Sequence, residues 1–197
     1  MYIIRLCLVS VFSLMIADSV AQNSEIKEAL LIIDIQEFYF PGGDVALNNP
    51  EKAAANAALL LKHFREKNRP VVFIRHNYEP GGMIHNMVEP LEGELVISKD
   101  KINAFIGTGL DDHLKQLGIN SLVICGMQTH MCAEAATRAA ADLDYKCTLI
   151  RDACATRDLQ FEDKTISAED VHLSTLITLR SYAKVISTKE YLETLKR

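Results

Sequence analysis

The sequence predicts an α/β protein, a Rossmann-like three-layer α/β/α arrangement around a mostly parallel sheet of roughly six strands. Three observations predict it. Short segments such as residues 29–33 and 71–74 are apolar at nearly every position, as strands buried on both faces are. Longer segments between them carry apolar residues at helical spacing. The two kinds alternate along the chain, as parallel strands joined by crossover helices do.

Ala29-Leu30-Leu31-Ile32-Ile33 is the first strand and runs into Asp34. Asn49-Pro50 then offers a capping residue and a proline at the first helical position. Ala53, Ala57, Leu60, Leu61 and Phe64 recur at helical spacing until Asn68 and Pro70 end the helix. Residues 71–74 form the second strand. Residues 75–91 are rich in Pro, Gly, Asn and His and longer than a typical connection, which marks a lid or binding loop. The third strand, 94–98, runs out into Lys99. A helix over 108–117 shows Leu110, Leu114 and Leu117 on one stripe and stops at Gly118. Residues 121–125 make the fourth strand, an alanine-rich helix spans 133–143, and 146–151 is the next strand. Ser167 and Asp170, at capping-box spacing, open a helix carrying Val171, Leu173, Leu176, Ile177 and Leu179. A strand at 183–186 and a helix at 188–195 close the chain. No linker, repeat or low-complexity segment divides residues 22–197, which read as one domain.

Residues 1–21 read differently. Arg5, an apolar stretch from 6 to 16, and Ser19-Val20-Ala21 with small residues where a signal peptidase reads suggest a cleaved export signal. The stretch is short for a membrane span, so the expectation is a periplasmic or secreted protein with no membrane attachment once the signal is removed. Cys7 leaves with it, and Cys125, Cys132, Cys147 and Cys154 remain. An even number in an exported chain ordinarily suggests disulfides. Cys125 and Cys147, however, sit inside apolar strand patterns and read as small buried hydrophobes, and a disulfide at Cys132 would disarm it. The 197 residues are 49% hydrophobic and 24% charged, with net charge −5. Mild acidity without a basic cluster argues against nucleic acid or anionic lipid and leaves a small molecule as the partner.

The run Gly126-Met127-Gln128-Thr129-His130-Met131-Cys132 carries the chemistry. A cysteine in the first turn of a helix faces unpaired N–H groups and the positive end of the helix dipole, a place suited to a nucleophile. Ligand sites of open parallel sheets lie at the carboxyl ends of the strands, so Asp34, Lys99 and Cys132 can share one crevice. Lys101, two positions on, lies on the same side of an extended chain and competes with Lys99.

Asp34 with Gln36, the Pro41-Gly42-Gly43 turn, Lys99 ahead of Asn103-Ala104-Phe105, Gly107-Thr108 and the 126–132 run together resemble the isochorismatase-like cysteine hydrolases. The resemblance covers essentially the whole chain after the signal, and the spacing to Ala104-Phe105 selects Lys99. It implies a catalytic triad of Asp34, Lys99 and Cys132. It also implies a cis peptide bond between Met127 and Gln128, which turns the N–H groups of Gln128 and Cys132 toward one oxyanion. Lys99 and the helix terminus are expected to lower the thiol pKa. Asp34 is expected to take the thiol proton, pass it to the leaving amine and then activate water. Family members commonly form dimers or larger assemblies, so a homo-oligomer is implied.

Phe40, His76, Phe105 and His130 are candidate pocket residues, with Phe38 and Tyr39 as further apolar wall. The family's metal-binding branch carries an Asp-x-His pair after the second strand. His76 and His85 are the obvious metal candidates, but here that place reads Arg75-His76-Asn77-Tyr78, so no metal and no cofactor is expected; the two isolated histidines read as surface or pocket-wall residues and His172 as structural. The leading expectation is hydrolysis of a C–N bond in a small amide, lactam or carbamoyl compound through a Cys132 thioester. Hydrolysis of an isochorismate-type vinyl ether needs an acid and no thiol, and a non-catalytic binding protein on the same scaffold is the third reading. Nucleotide binding lacks its glycine-rich loop and thiol–disulfide exchange lacks a Cys-x-x-Cys.

Overall fold

A computed structural model describes residues 26–196. The export-signal reading of residues 1–21, and Cys7 with it, lies outside them. The strands are β1 (Glu28–Ile33), β2 (Val71–His76), β3 (Leu95–Lys99), β4 (Ser121–Met127), β5 (Lys146–Ala155), β6 (Leu159–Phe161), β7 (Lys164–Ile166) and β8 (Ala183–Ile186). The α-helices are α1 (Pro50–Glu66), α2 (Leu110–Gln116), α3 (Glu134–Asp142), α4 (Ala168–Leu179) and α5 (Thr188–Thr194). Six strands make one sheet in the order β3-β2-β1-β4-β5-β8, and every pairing in it is parallel.

The strand alternation divides the core in two. Leu30 and Ile32 of β1 face the layer of Ala53, Ala57, Leu60 and Phe64 of α1 and Tyr191 of α5. Ala29, Leu31 and Ile33 face the other layer, with Leu110 and Leu114 of α2, Ala136 and Ala140 of α3, and Leu176 and Leu179 of α4. With apolar helices on both sides, β1 and β4 have no solvent face, which is why both read as unbroken apolar runs.

Several boundaries differ from the sequence reading, each for a local reason. β4 and β5 run further than expected because their ladder shifts between Ile124 and Gly126 and then resumes, pairing Gly126 with Cys154 and Met127 with Ala155. Polar Arg151 and Asp152 hid that continuation. The hairpin of β6 and β7 was missed, being two exposed three-residue strands turning at Glu162 with φ 55°. Asn49 does not cap α1 with its side chain; it adopts φ 53° and its amide donates to Asn48 instead. Ser167 does cap α4, accepting from the Asp170 backbone N–H. The helix expected from 133 begins at Glu134, and residues 129–133 form a π-turn ahead of it. Cys132 therefore sits in that wide turn rather than in the first turn of the α-helix.

The chain leaves β1 toward β2 on one side and returns to β4 on the other, so the switch point of the sheet lies between the carboxyl ends of β1 and β4. Cys125, Cys132, Cys147 and Cys154 are all free thiols and all buried. Among the described residues no helix is long and apolar enough to cross a membrane.

Candidate active site

At the switch point β1 and β4 come unusually close. Gly126 pairs with Ile33 at φ 130°, and a β-carbon there would overlap the Ile33 carbonyl. Only glycine permits this approach. Two residues on, the Met127–Gln128 peptide is cis. The π-turn that follows is closed by the Gln128 carbonyl, which accepts from the N–H groups of Met131 and Ala133 at 3.0 and 3.2 Å. π-turns of this kind frequently mark functional sites. The turn is also held from outside. Thr129 Oγ1 lies 2.9 Å from His172 Nδ1 of α4, and His130 Nδ1 lies 2.6 Å from Thr156 Oγ1 just past β5.

Three strand ends deliver Asp34, Lys99 and Cys132 to one point. Asp34 follows β1 with φ 48°, and its N–H continues the sheet by donating to the Ile74 carbonyl. Lys99 ends β3, paired in register with His76 at the end of β2. Lys99 Nζ lies 2.7 Å from Asp34 Oδ2 and donates to Cys132 Sγ at 3.3 Å and to His76 Nδ1 at 3.3 Å. The Asp34 and Lys99 side chains are fully buried and Cys132 is 3% exposed. Lys101 is exposed, so Lys99 is the lysine the fold brings to the thiol.

Burial governs the proton affinities. Cys132 is pushed up to about 12, by desolvation first and the Asp34 charge second, with Lys99 pulling the other way. The lowering expected from Lys99 is present but outweighed: burial and the neighbouring carboxylate together set the direction of the net shift, which is upward. Asp34 is also raised, by desolvation against the opposing Lys99 charge. Asp34 and Cys132 perturb each other, so they are neighbours. Yet in the resting geometry Lys99 gives Asp34 charge rather than a well-aimed hydrogen bond, and both carboxylate oxygens keep unfilled acceptor capacity. A buried carboxylate with raised proton affinity beside a neutral thiol is arranged to receive that thiol's proton.

The other candidates fall differently. His76 touches the cluster directly through Lys99 and lines a cavity of about 360 Å³ with Arg75, Asn77, Tyr78, Glu79 and Gly82. His130 shares the π-turn with Cys132, two positions ahead of it. Phe40 is buried in the α1 layer and stacks on His85 at 3.6 Å between ring centroids. Phe105 packs partly buried against the opposite layer, 6.2 Å from the Tyr145 ring. The aromatic that reaches the site from this loop is Tyr39. Its phenol interacts with the Gln128 side chain and feels the charges of Cys132, Asp34 and Arg157, and burial raises its proton affinity. Arg157 donates from Nε to Gln128 Oε1 at 3.3 Å, a contact that no sequence pattern announced. Gln36, fully buried, ties the β1 end to the loop. Its Nε2 donates to the carbonyls of His76 and Gly82 at 2.9 and 2.7 Å, and its Oε1 accepts from the His76 N–H at 2.7 Å.

Comparison with known proteins gives a consistent picture. A family profile for the isochorismatase domain matches residues 28–188. The chain is 46% identical over 177 residues to the uncharacterised isochorismatase family protein YddQ of Bacillus subtilis, across 84% of this chain and 98% of that one. It is 31% identical over 144 residues to a streptothricin hydrolase of Streptomyces noursei, across 67% of this chain and 51% of that protein. The crystal structure of an isochorismatase from Pseudomonas putida matches with a TM-score of 0.80 at 37% identity, covering 83% of this chain and 89% of that one.

Proposed function

We propose, from the premise that this chain belongs to the isochorismatase family and is a hydrolase of that family, that it cleaves a C–N bond of a small amide, lactam or carbamoyl compound through a thioester on Cys132. The observation that carries this reading is Lys99 Nζ at 2.7 Å from Asp34 Oδ2 and 3.3 Å from Cys132 Sγ, all three side chains closed to water. Similarity to a streptothricin hydrolase adds support for a hydrolytic role.

In the first half-reaction Asp34 takes the thiol proton and the thiolate attacks the substrate carbonyl carbon. Lys99 stabilises the forming thiolate by charge. The oxyanion that develops is held by the N–H groups of Gln128 and Cys132; a single such donor is typically worth about 3 kcal/mol of barrier. Collapse breaks the C–N bond, and the departing amine takes the proton from Asp34. Water then gives a proton to Asp34 and attacks the thioester. The acid leaves, and the thiolate recovers its proton from Asp34.

Replacing Cys132 by Ala is expected to abolish turnover of a responsive amide while leaving the melting transition in place, and quenched wild-type enzyme is expected to carry the acyl mass on Cys132. A Cys132→Ala variant with full activity overturns the mechanism. One observation favours a second chemistry: the raised proton affinity of Asp34 also suits an acid that protonates a vinyl ether. Pyruvate release from isochorismate by the Cys132→Ala variant would establish that alternative. We also propose that residues 1–21 are a cleaved export signal, so that secreted protein begins at Gln22 by mass spectrometry, and that mature copies associate into a homo-oligomer.

A further inference from the structure

We propose that His172 is a positioning residue for the nucleophile: by accepting a hydrogen bond from the Thr129 hydroxyl it fixes the π-turn that presents Cys132 to Lys99 and Asp34. The proposal rests on the reading of Cys132 as the nucleophile. Thr129 is completely buried, and a buried hydroxyl without a partner is costly. Its Oγ1 lies 2.9 Å from His172 Nδ1. In the proposed arrangement the ring hydrogen sits on Nε2, so Nδ1 offers a lone pair and the Thr129 hydroxyl donates to it. The bond exists in this direction only while the imidazole is neutral.

Thr129 opens the π-turn and Cys132 sits three positions later. With His130 held at the next position by Thr156, two adjacent residues of the turn are anchored, one to α4 and one to the end of β5. This sets both the height and the rotation of the turn that aims Sγ at Lys99. His172 is half-buried and lines a cavity of about 570 Å³, so it can exchange protons with solvent. The charged groups around that cavity are Lys52 of α1, Arg151 and Asp152 of β5, and Glu169 of α4 itself. On α3, Glu134 and Arg138 pair with each other at 2.8 Å, and Arg138 also reaches Thr178. On β8, Lys184 is exposed. The turn itself brings His130 and Cys132. Burial and the Arg151 charge favour the neutral ring, the form the bond requires. Protonating His172 puts a hydrogen on Nδ1, which turns the contact round so that the ring donates to Thr129 Oγ1; the buried hydroxyl hydrogen then has to find another acceptor and a charge is set against the turn, which loosens it.

Three variants of the mature chain test this. His172→Leu removes the acceptor, Thr129→Val removes the donor at nearly constant shape, and His172→Asn keeps an acceptor oxygen near Nδ1 but cannot titrate. The readouts are kcat and KM on a responsive amide, and the rate of Cys132 alkylation by iodoacetamide followed by mass spectrometry between about pH 5 and pH 8, which brackets imidazole titration. The Leu and Val variants are expected to lose about tenfold or more in kcat with KM little changed, as misplacement of a reacting group does, and to be alkylated more slowly. In the wild type the alkylation rate falls more steeply with decreasing pH once His172 protonates. His172→Asn restores most of the rate and removes that extra bend. Wild-type rates in Thr129→Val, or an acid bend that persists in His172→Asn, overturn the proposal even if the Leu variant fails to fold. Alkylation needs no substrate, so its outcome is separate from the acyl adduct that decides the thioester reading.

Discussion

Asp34 raises the proton affinity of the Cys132 thiol by its charge, and in the proposed mechanism it also takes the thiol proton. Removing that charge should therefore separate reactivity from catalysis. In Asp34→Asn the second-largest cause holding the thiol up disappears while Lys99 remains, so the thiolate fraction at neutral pH rises and iodoacetamide labels Cys132 faster than in the wild type. Turnover is lost because no group shuttles the proton. Slower labelling of the variant would contradict this electrostatic assignment. The positions of Asp34, Lys99 and Cys132 were legible in the sequence, since a buried parallel strand that runs into an ionisable residue places it at the ligand edge. The direction of the thiol shift was not. A cation and a helix start can be read locally, whereas desolvation depends on everything packed around the pocket. The Thr129–His172 and Gln128–Arg157 contacts were illegible for a related reason. Each joins segments far apart in the chain, and neither histidine nor arginine stands in a telling pattern.

At the scale of elements, the loop after β2 is held by one side chain. Gln36 satisfies two carbonyls and one N–H across the β1 end, the β2 end and the loop at Gly82. Gln36→Leu keeps the bulk but strands these three groups, at about 1 to 3 kcal/mol for each one left buried without a partner. Stability is expected to fall by about 3 kcal/mol or more, the sum of those penalties. KM should rise as the His76 wall of the 360 Å³ cavity loosens. An unchanged urea midpoint would show that water replaces the amide at no cost. The existence and order of the central strands and the five helices followed from apolar periodicity. The π-turn did not, because its residues Thr129 to Ala133 carry no period of their own and the turn exists through the Gln128 carbonyl and its two donors. The β6–β7 hairpin escaped because it buries almost nothing, so no apolar pattern marks it.

For the molecule as a whole, His130 and His172 link folding to pH. Burial holds both rings below the ordinary 6.5. The unfolded chain takes up those protons more readily, so the stability they contribute is in place above pH 6.5 and is lost as pH falls through their depressed folded values. Asp34, raised above 3.8, works in the opposite sense: its contribution is present on the acid side and is lost as pH rises through its folded value. A lower urea midpoint at about pH 5.5 than at about pH 7.5 is expected, on the acid side of imidazole's ordinary range. The His130→Gln, His172→Asn double variant should show a smaller difference; an equal or larger difference would remove the histidines from the account. Lys99 rides on β3, which ends the sheet and is paired on one side only. Peripheral strands detach at lower free energy than central ones. Under gentle heating or dilute urea the ammonium would come unhooked while β1 and β4 still protect their amides from hydrogen exchange, so inactivation would run ahead of melting and reverse on cooling.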